Sequence, residues 1–347
     1  MNILFTSAGR RVELLRAFRR AYAALGLPGT IVVTDINPLA PALQLADRSY
    51  MVPRFTSPEY VPALAAICKR EQIGLVFPLI DPDIPILAAH RAVFEAAGAR
   101  LALSPEPAVA IAADKWLTTQ FFRSLGLATA RAWLPDQLDP AQAEYPLFIK
   151  PRNGSAAQHT FKVRNARELA FFAEYVPDPI VEELLPGPEI TTDVVCDLEG
   201  AVLGVVSRRR IEVRSGEVAK GVTVYDPAIA DACVRIAHAL PALGPITVQC
   251  MFKDGVPHFT EINARFGGGA YSSFLKKVDR FAARPLATTL RDRAAWAARL
   301  VGIEADVKRI VAALTARGLK SPYLRNYVIA RINPVRFHKA RAGDTGP

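Results

Sequence analysis

Residues 3–5, 31–34, 75–77 and 101–103 are short apolar or β-branched runs. Runs of this kind belong to strands buried on both faces. Between them the period changes to that of helices. Residues 11–25 place Leu14, Leu15, Phe18, Tyr22 and Leu25 on one stripe, and residues 58–70 and 83–97 carry weaker stripes. Strand and helix in alternation predict a parallel sheet with right-handed crossovers, whose ligands lie beyond the carboxyl ends of the strands. Those ends carry Thr6-Ser7-Ala8-Gly9-Arg10, then Asp35, then Pro78-Leu79-Ile80-Asp81-Pro82-Asp83. The first is not G-x-G-x-x-G, so the dinucleotide fingerprint is missing.

The pattern then changes. Ser104-Pro105-Glu106-Pro107 reads as a linker, because its two prolines block helix continuation, and a domain boundary is expected near residue 105. Residues 109–126 read as one helix ending at a glycine, 132–225 as mostly strands with a helix over 166–175, and 227–240 as a helix. In 246–271 a hairpin follows. Val248, Cys250 and Phe252 alternate with Thr247, Gln249 and Met251, Lys253-Asp254-Gly255 supplies the turn, and 257–262 returns. The chain is therefore α/β followed by α+β.

Glu261 and Asn263 stand two residues apart on the returning strand and so share a face, with Arg265 and Gly267 to Gly269 beyond them. Oxygen donors beside Gln249, with a guanidinium next to them, suit a hard cation that bridges nucleotide phosphates. Earlier, Leu147-Phe148-Ile149-Lys150-Pro151 is a strand ending in a cation ahead of a small-residue loop, Asn153-Gly154-Ser155-Ala156-Ala157. A lysine so placed meets a phosphate whose other oxygens the loop amides, that of Ser155 included, satisfy. In Glu182-Glu183-Leu184-Leu185-Pro186-Gly187-Pro188-Glu189 a strand gives way to a linker whose backbone groups suit an adenine edge, and Glu189 suits ribose hydroxyls. Arg208 and Arg210 share a strand face from which they reach a triphosphate or an acidic substrate together.

Composition removes other classes. Of 347 residues 51% are hydrophobic and 22% charged, which is ordinary for a globular chain. No apolar run spans a bilayer, and 1–11 has too short an apolar core for a signal peptide, so a cytoplasmic protein is expected with no membrane partner. Cys68, Cys196, Cys233 and Cys250 form no C-x-x-C, the five histidines show no metal spacing, and no serine sits in G-x-S-x-G. The net charge of +10 belongs to the end of the chain: from Lys276 onward 16 Lys and Arg face 5 Asp and Glu. There 300–316 has an amphipathic stripe, and aromatics mix with arginines over 323–331. That surface suits nucleic acid or an acidic partner, or else a helix with arginines snorkelling outward.

Taken in order, these motifs resemble the ATP-grasp superfamily, and within it the carbamoyl-phosphate-synthase-like branch of carboxylate–amine ligases. The resemblance runs over residues 1 to about 275. It is carried by Asp114-Lys115, Ile149-Lys150-Pro151 with its loop, the 182–189 segment, and Gln249 with Glu261-Ile262-Asn263-Ala264-Arg265-Phe266-Gly267-Gly268. It implies a parallel-sheet pre-ATP-grasp domain over 1–105, an ATP-grasp fold of two α+β subdomains over 106–279, and a basic helical extension over 280–347. It also implies that Lys115 and Lys150 contact ATP phosphates, Glu183 and Leu185 the adenine, and Glu189 the ribose. Gln249, Glu261 and Asn263 would hold Mg2+, with Mn2+ as the alternative ion. Arg265 would stabilise the transferring phosphoryl group, with Lys220 and Arg208 as further catalytic residues. The expected partners are a small-molecule carboxylate and an amine, joined through an acyl phosphate, together with a second copy of the chain in a homodimer. The rival expectation is a non-catalytic, nucleotide-binding regulator whose basic tail takes nucleic acid or a protein. The loop after Lys150 has fewer glycines than many members carry, and the chain beyond Tyr271 departs from the family ending.

Overall fold

Ile3, Leu4 and Phe5 have no exposed face, and neither do Ile31, Val32 and Val33 beside them, as interior strands of a covered parallel sheet require. A computed structural model of the chain describes residues 1–154, 157–214 and 217–267, with the side chains of 213–220 left out. Its first sheet comprises β1 (Asn2–Thr6), β2 (Ile31–Asp35), β3 (Arg48–Met51), β4 (Ile73–Pro78) and β5 (Arg100–Leu101). They run in the order β3-β2-β1-β4-β5, and every pairing is parallel. The crossovers carry α1 (Val12–Leu25), α2 (Tyr60–Arg70), α3 (Ile84–Ala89) and α4 (Arg91–Ala96). Strand order reverses between β1 and β4, so their carboxyl ends open the crevice where such sheets bind ligands.

Phe5, Phe18 and Phe77 pack with centroids 5.0 to 5.3 Å apart, and Phe266 joins them from the far end of the described chain at 5.7 Å from Phe77. Burying these rings together ties the exit of the last strand to the first sheet, a contact worth about 0.5–1.5 kcal/mol per ring pair beyond area.

Two antiparallel sheets follow. β6 (Ala132–Trp133), β9 (Pro179–Glu183), β7 (Leu147–Pro151) and β8 (Phe161–Val163) form the smaller, covered by α7 (Ala166–Tyr175) through Leu147, Ile149, Val163, Leu169 and Val181. The larger has the order β12-β11-β10-β13-β14, from β10 (Glu189–Cys196), β11 (Val202–Arg214), β12 (Glu217–Val224), β13 (Pro245–Lys253) and β14 (Val256–Asn263). One face of it, through Ile190, Val194, Val248, Cys250 and Ile262, shares a core with Ile229, Cys233 and Ile236 of α8 (Pro227–Ala239). The predicted β13–β14 turn forms at Asp254 and Gly255, both at positive φ.

Two helices expected as single pieces are broken. Residues 83–97 split at His90, and the 109–126 helix begins earlier and divides into α5 (Glu106–Ala113) and α6 (Lys115–Ser124). Asp114 is the cause: in extended conformation, it accepts hydrogen bonds from the amides of Trp116 (2.8 Å) and Leu117 (3.2 Å) and caps the second helix. The expected linker is correspondingly shorter, because Glu106 and Pro107 already lie in α5.

Candidate active site

Register makes the site. Gln249 pairs directly with Glu261, and Thr247 with Asn263, so all four project from one face of β13 and β14. A bulge between Gln249 and Cys250 puts Cys250 opposite Phe259, leaving Thr260 as the extra residue. On β10, Thr191 lies beside Gln249 and Asp193 beside Thr247, and β11 brings Arg208 and Arg210 to the same face. The opposite face is the apolar one against α8, so period-two alternation has sorted Glu189, Asp193, Arg208, Arg210 and Glu261 to one side, while Arg209, beside Ile190, faces the other way.

On that face the charges are paired. Arg208 is buried and bonded to Asp193, whose other oxygen accepts from Thr247 Oγ1 at 3.2 Å. Arg210 Nη1 reaches Glu189 Oε1 at 2.6 Å, and Gln249 Nε2 donates to the same carboxylate. With its amide nitrogen committed to Glu189, Gln249 has its carbonyl oxygen on the Asn263 side, where Asn263 Nδ2 approaches at 3.4 Å. Glu261 makes no side-chain hydrogen bond or ion pair among the described residues. One carboxylate and two amide oxygens are hard donors that leave positions open. That fits Mg2+, which is usually bound by one or two carboxylates together with substrate phosphates. Among the described residues no group of three or more His, Cys, Asp or Glu side chains offers another metal site.

A cavity of about 380 Å3 adjoins this set, with Asp81, Lys115, Asn153, Gly154, Glu261 and Asn263 on its polar wall and Ile84 and Val109 on its apolar one. Lys115 opens α6 and arches over the loop after β7, donating from Nζ to the Gly154 carbonyl at 2.9 Å. Burial pulls its amine below the usual lysine range, against the attraction of Glu261. Asp114 anchors the same loop by accepting from Arg152 Nη2 at 2.5 Å. Its desolvation is outweighed by that guanidinium and the two capping amides, which hold the carboxyl below the usual range.

On the smaller sheet Lys150 and Glu182 form a buried pair at 2.7 Å, on the face away from α7. Glu183 points to the other face, where Lys253 Nζ (2.6 Å) and Arg131 (3.3 Å) hold it. Alternation along β9 thus puts Glu182, not Glu183, on the side of Lys150, and leaves Glu183 its backbone groups. Alternation in the sequence separates the two glutamates onto opposite faces, and the β7–β9 register then singles out Glu182 as the residue to add. Leu185 is buried in the linker that follows, where Gly187 has no room for a side chain: a Cβ would meet the Phe252 carbonyl oxygen at 2.1 Å. Of the other expected residues, Ser155 and the side chain of Lys220 lie outside the described residues, as does the whole extension 280–347. All four cysteines are buried, and desolvation raises each thiol, so none is a reactive nucleophile.

Sequence comparison matches residues 3–102 to a family model described as the PylC-like N-terminal domain and residues 112–269 to one described as an ATP-grasp domain. The phosphoribosylamine–glycine ligase of Ralstonia nicotianae is 25% identical over 221 residues, covering 58% of this chain and 51% of the relative. The 3-methyl-D-ornithine–L-lysine ligase of Methanosarcina barkeri is 24% identical over 254 residues, covering 73% and 64%. The chain thus spans between about half and two thirds of the length of these relatives. Among solved structures, the biotin carboxylase domain dimer of Hydrogenobacter thermophilus 2-oxoglutarate carboxylase, in complex with MgADP, ADP and bicarbonate, superposes with a TM-score of 0.64 at 16% identity. It covers 81% of this chain and 69% of that one. Among the described residues no helix is long and apolar enough to cross a membrane. The matched models account for both the parallel sheet and the pair of antiparallel sheets behind it, and the chain belongs to the ATP-grasp superfamily, with a PylC-like N-terminal domain ahead of its ATP-grasp domain.

Proposed function

We propose that this protein is a cytoplasmic ligase that uses ATP and Mg2+ to activate a small carboxylate as an acyl phosphate and transfers the acyl group to an amine. The observation that carries this is the register pair Gln249–Glu261, with Asn263 and Arg265 next along the chain, where Glu261 and Asn263 line the same cavity as Lys115. Phosphoryl transfer asks for positioning and charge neutralisation more than for a covalent nucleophile, and such a set supplies them.

In this proposal ATP provides the phosphoryl group and Mg2+, or Mn2+ in its place, neutralises its charge. Gln249, Glu261 and Asn263 hold the ion. Lys115 and Lys150 neutralise phosphate oxygens, with the Ser155 amide beside them, and Glu182 keeps Lys150 aimed. The backbone of Glu183 and Leu185 reads adenine, and Glu189 the ribose. Arg265 steadies the transferring group, and Lys220 and Arg208 support it, Arg208 through its bond to Asp193. A carboxylate oxygen attacks phosphorus and ADP leaves; the amine nitrogen then attacks the acyl carbon, phosphate leaves, and the nitrogen loses a proton.

We assign residues 1–105 to the pre-ATP-grasp domain, 106–279 to the ATP-grasp domain and 280–347 to an extension. A homodimer belongs to the same proposal, supported by the dimer named for the Hydrogenobacter domain. The test is Mg2+-dependent ADP release across a panel of amino acids, dicarboxylates and amines, with products identified by mass spectrometry. Glu261→Ala and Arg265→Ala should each abolish release while circular dichroism stays unchanged; full turnover in both variants would refute the assignment.

A further inference from the structure

Arg265 is held by a carboxylate from a distant part of the chain. Its Nε donates to Asp81 Oδ1 at 2.7 Å and its Nη2 to Asp81 Oδ2 at 2.5 Å, a bidentate pair across 184 residues of sequence. Nη1 donates to the Phe266 carbonyl at 3.1 Å, and Nη2 lies 3.4 Å from Asn263 Oδ1. A fork engaged along one edge by a carboxylate and along another by a backbone carbonyl has a fixed plane. Asp81 itself comes from the segment after β4, at the strand-order reversal of the first sheet, and lines the cavity with Lys115, Glu261 and Asn263. Its charge also acts on the Lys115 amine. It therefore lies within the field of both Arg265 and Lys115.

A surface tether between the two domains would need neither a bidentate geometry nor a place on the cavity wall. We infer that Asp81 is a positioning residue for phosphoryl transfer: it sets the plane of Arg265, so that the first domain completes the catalytic site of the second. This rests on the ligase proposal above, and it makes the first domain a contributor to the chemistry.

The test compares wild type, Asp81→Asn, Asp81→Glu and Arg265→Ala in the full chain, with two readouts. The first is binding of MgADP with and without aluminium fluoride, which occupies the place of the transferring group and needs no knowledge of the acceptor. Wild type should hold MgADP more tightly with fluoride present. Asp81→Asn should lose that gain by about tenfold or more, as should Arg265→Ala, while MgADP alone binds within about twofold of wild type. The second readout is Mg2+-dependent ADP release, where Asp81→Asn should lower kcat about tenfold or more at nearly constant KM for ATP, with partial recovery in Asp81→Glu. A thermal midpoint unchanged among the variants excludes simple unfolding. A full fluoride response and full kcat in Asp81→Asn, or a raised kcat, would overturn the role of Asp81 alone. Absence of both the response and turnover in wild type would overturn the ligase proposal with it.

Discussion

Asp83 gives a prediction in which the sign as well as the size is fixed by the structure. It has no exposed surface; its Oδ2 accepts hydrogen bonds from Tyr60 Oη (2.8 Å), Ser7 Oγ (3.0 Å) and Thr6 Oγ1 (3.1 Å), while its Oδ1 has no hydrogen-bond partner. Desolvation raises the carboxyl from 3.8 to about 6, against the three hydroxyls that favour the anion, and the neighbouring Asp81 raises it further. Below the unfolded value both states hold the proton, and the group contributes nothing to pH dependence. Between the two values the native state keeps a proton that the unfolded chain releases. Above about 6 the native state carries a buried carboxylate at full penalty. Stability attributable to Asp83 therefore falls as pH rises through this window, by on the order of 3 kcal/mol at about 1.4 kcal/mol per tenfold change in proton affinity.

Asp83→Asn removes the titration. The amide keeps an acceptor for the three hydroxyls and leaves an N–H unpaired where Oδ1 was, a cost of about 1–3 kcal/mol that does not vary with pH. Urea unfolding followed by circular dichroism, at steps between about pH 4 and pH 7, should show the stability of wild type minus that of Asp83→Asn falling by about 2–2.5 kcal/mol, the part of the full change that lies in this range. Taking the difference cancels every other titrating group that the two proteins share. A difference that is flat with pH, or one that rises, would refute the burial argument.

Two further substitutions address the nucleotide half of the site. In Gly187→Ala the new methyl collides with the Phe252 carbonyl, so the 184–188 linker must shift; stability should drop by about 1–3 kcal/mol and MgADP affinity should fall in calorimetry. Lys150→Met leaves Glu182 charged and buried without its partner, which should cost about 3–5 kcal/mol in urea unfolding; the double variant Lys150→Met/Glu182→Leu should recover most of that stability but not nucleotide binding.

Much of the fold is a local matter, and there the sequence suffices. The stripe over 11–25 becomes α1 (Val12–Leu25) because packing of Leu14, Leu15 and Phe18 on the sheet needs only that spacing. The β13–β14 hairpin forms because its turn tolerates positive φ and its alternation selects a single buried face. The strand β3 could not be read in this way. Arg48, Ser49 and Met51 are all exposed, so the segment shows no buried apolar face, and backbone pairing to β2 makes it a strand. The breaks at His90 and Asp114 were likewise invisible, since an apolar stripe continues through both. Asp114 leaves the helix because Arg152, 38 residues away, and two amides can share its carboxylate only there.

The same division runs through the site. That Glu261 and Asn263 share a face follows from period-two alternation alone; the register set by the turn would put Gln249 opposite Thr260, and only the bulge brings Glu261 into that place. Partnership across the sheet did not follow. Which carboxylate meets Arg208, which glutamate of the 182–183 pair faces Lys150, and that Asp81 grips Arg265 are set by register, by the order of strands and by the docking of the first sheet on the exit of β14. A sequence names the charges; ion pairing depends on distances of a few ångströms between segments far apart in the chain, and only the tertiary structure fixes those distances.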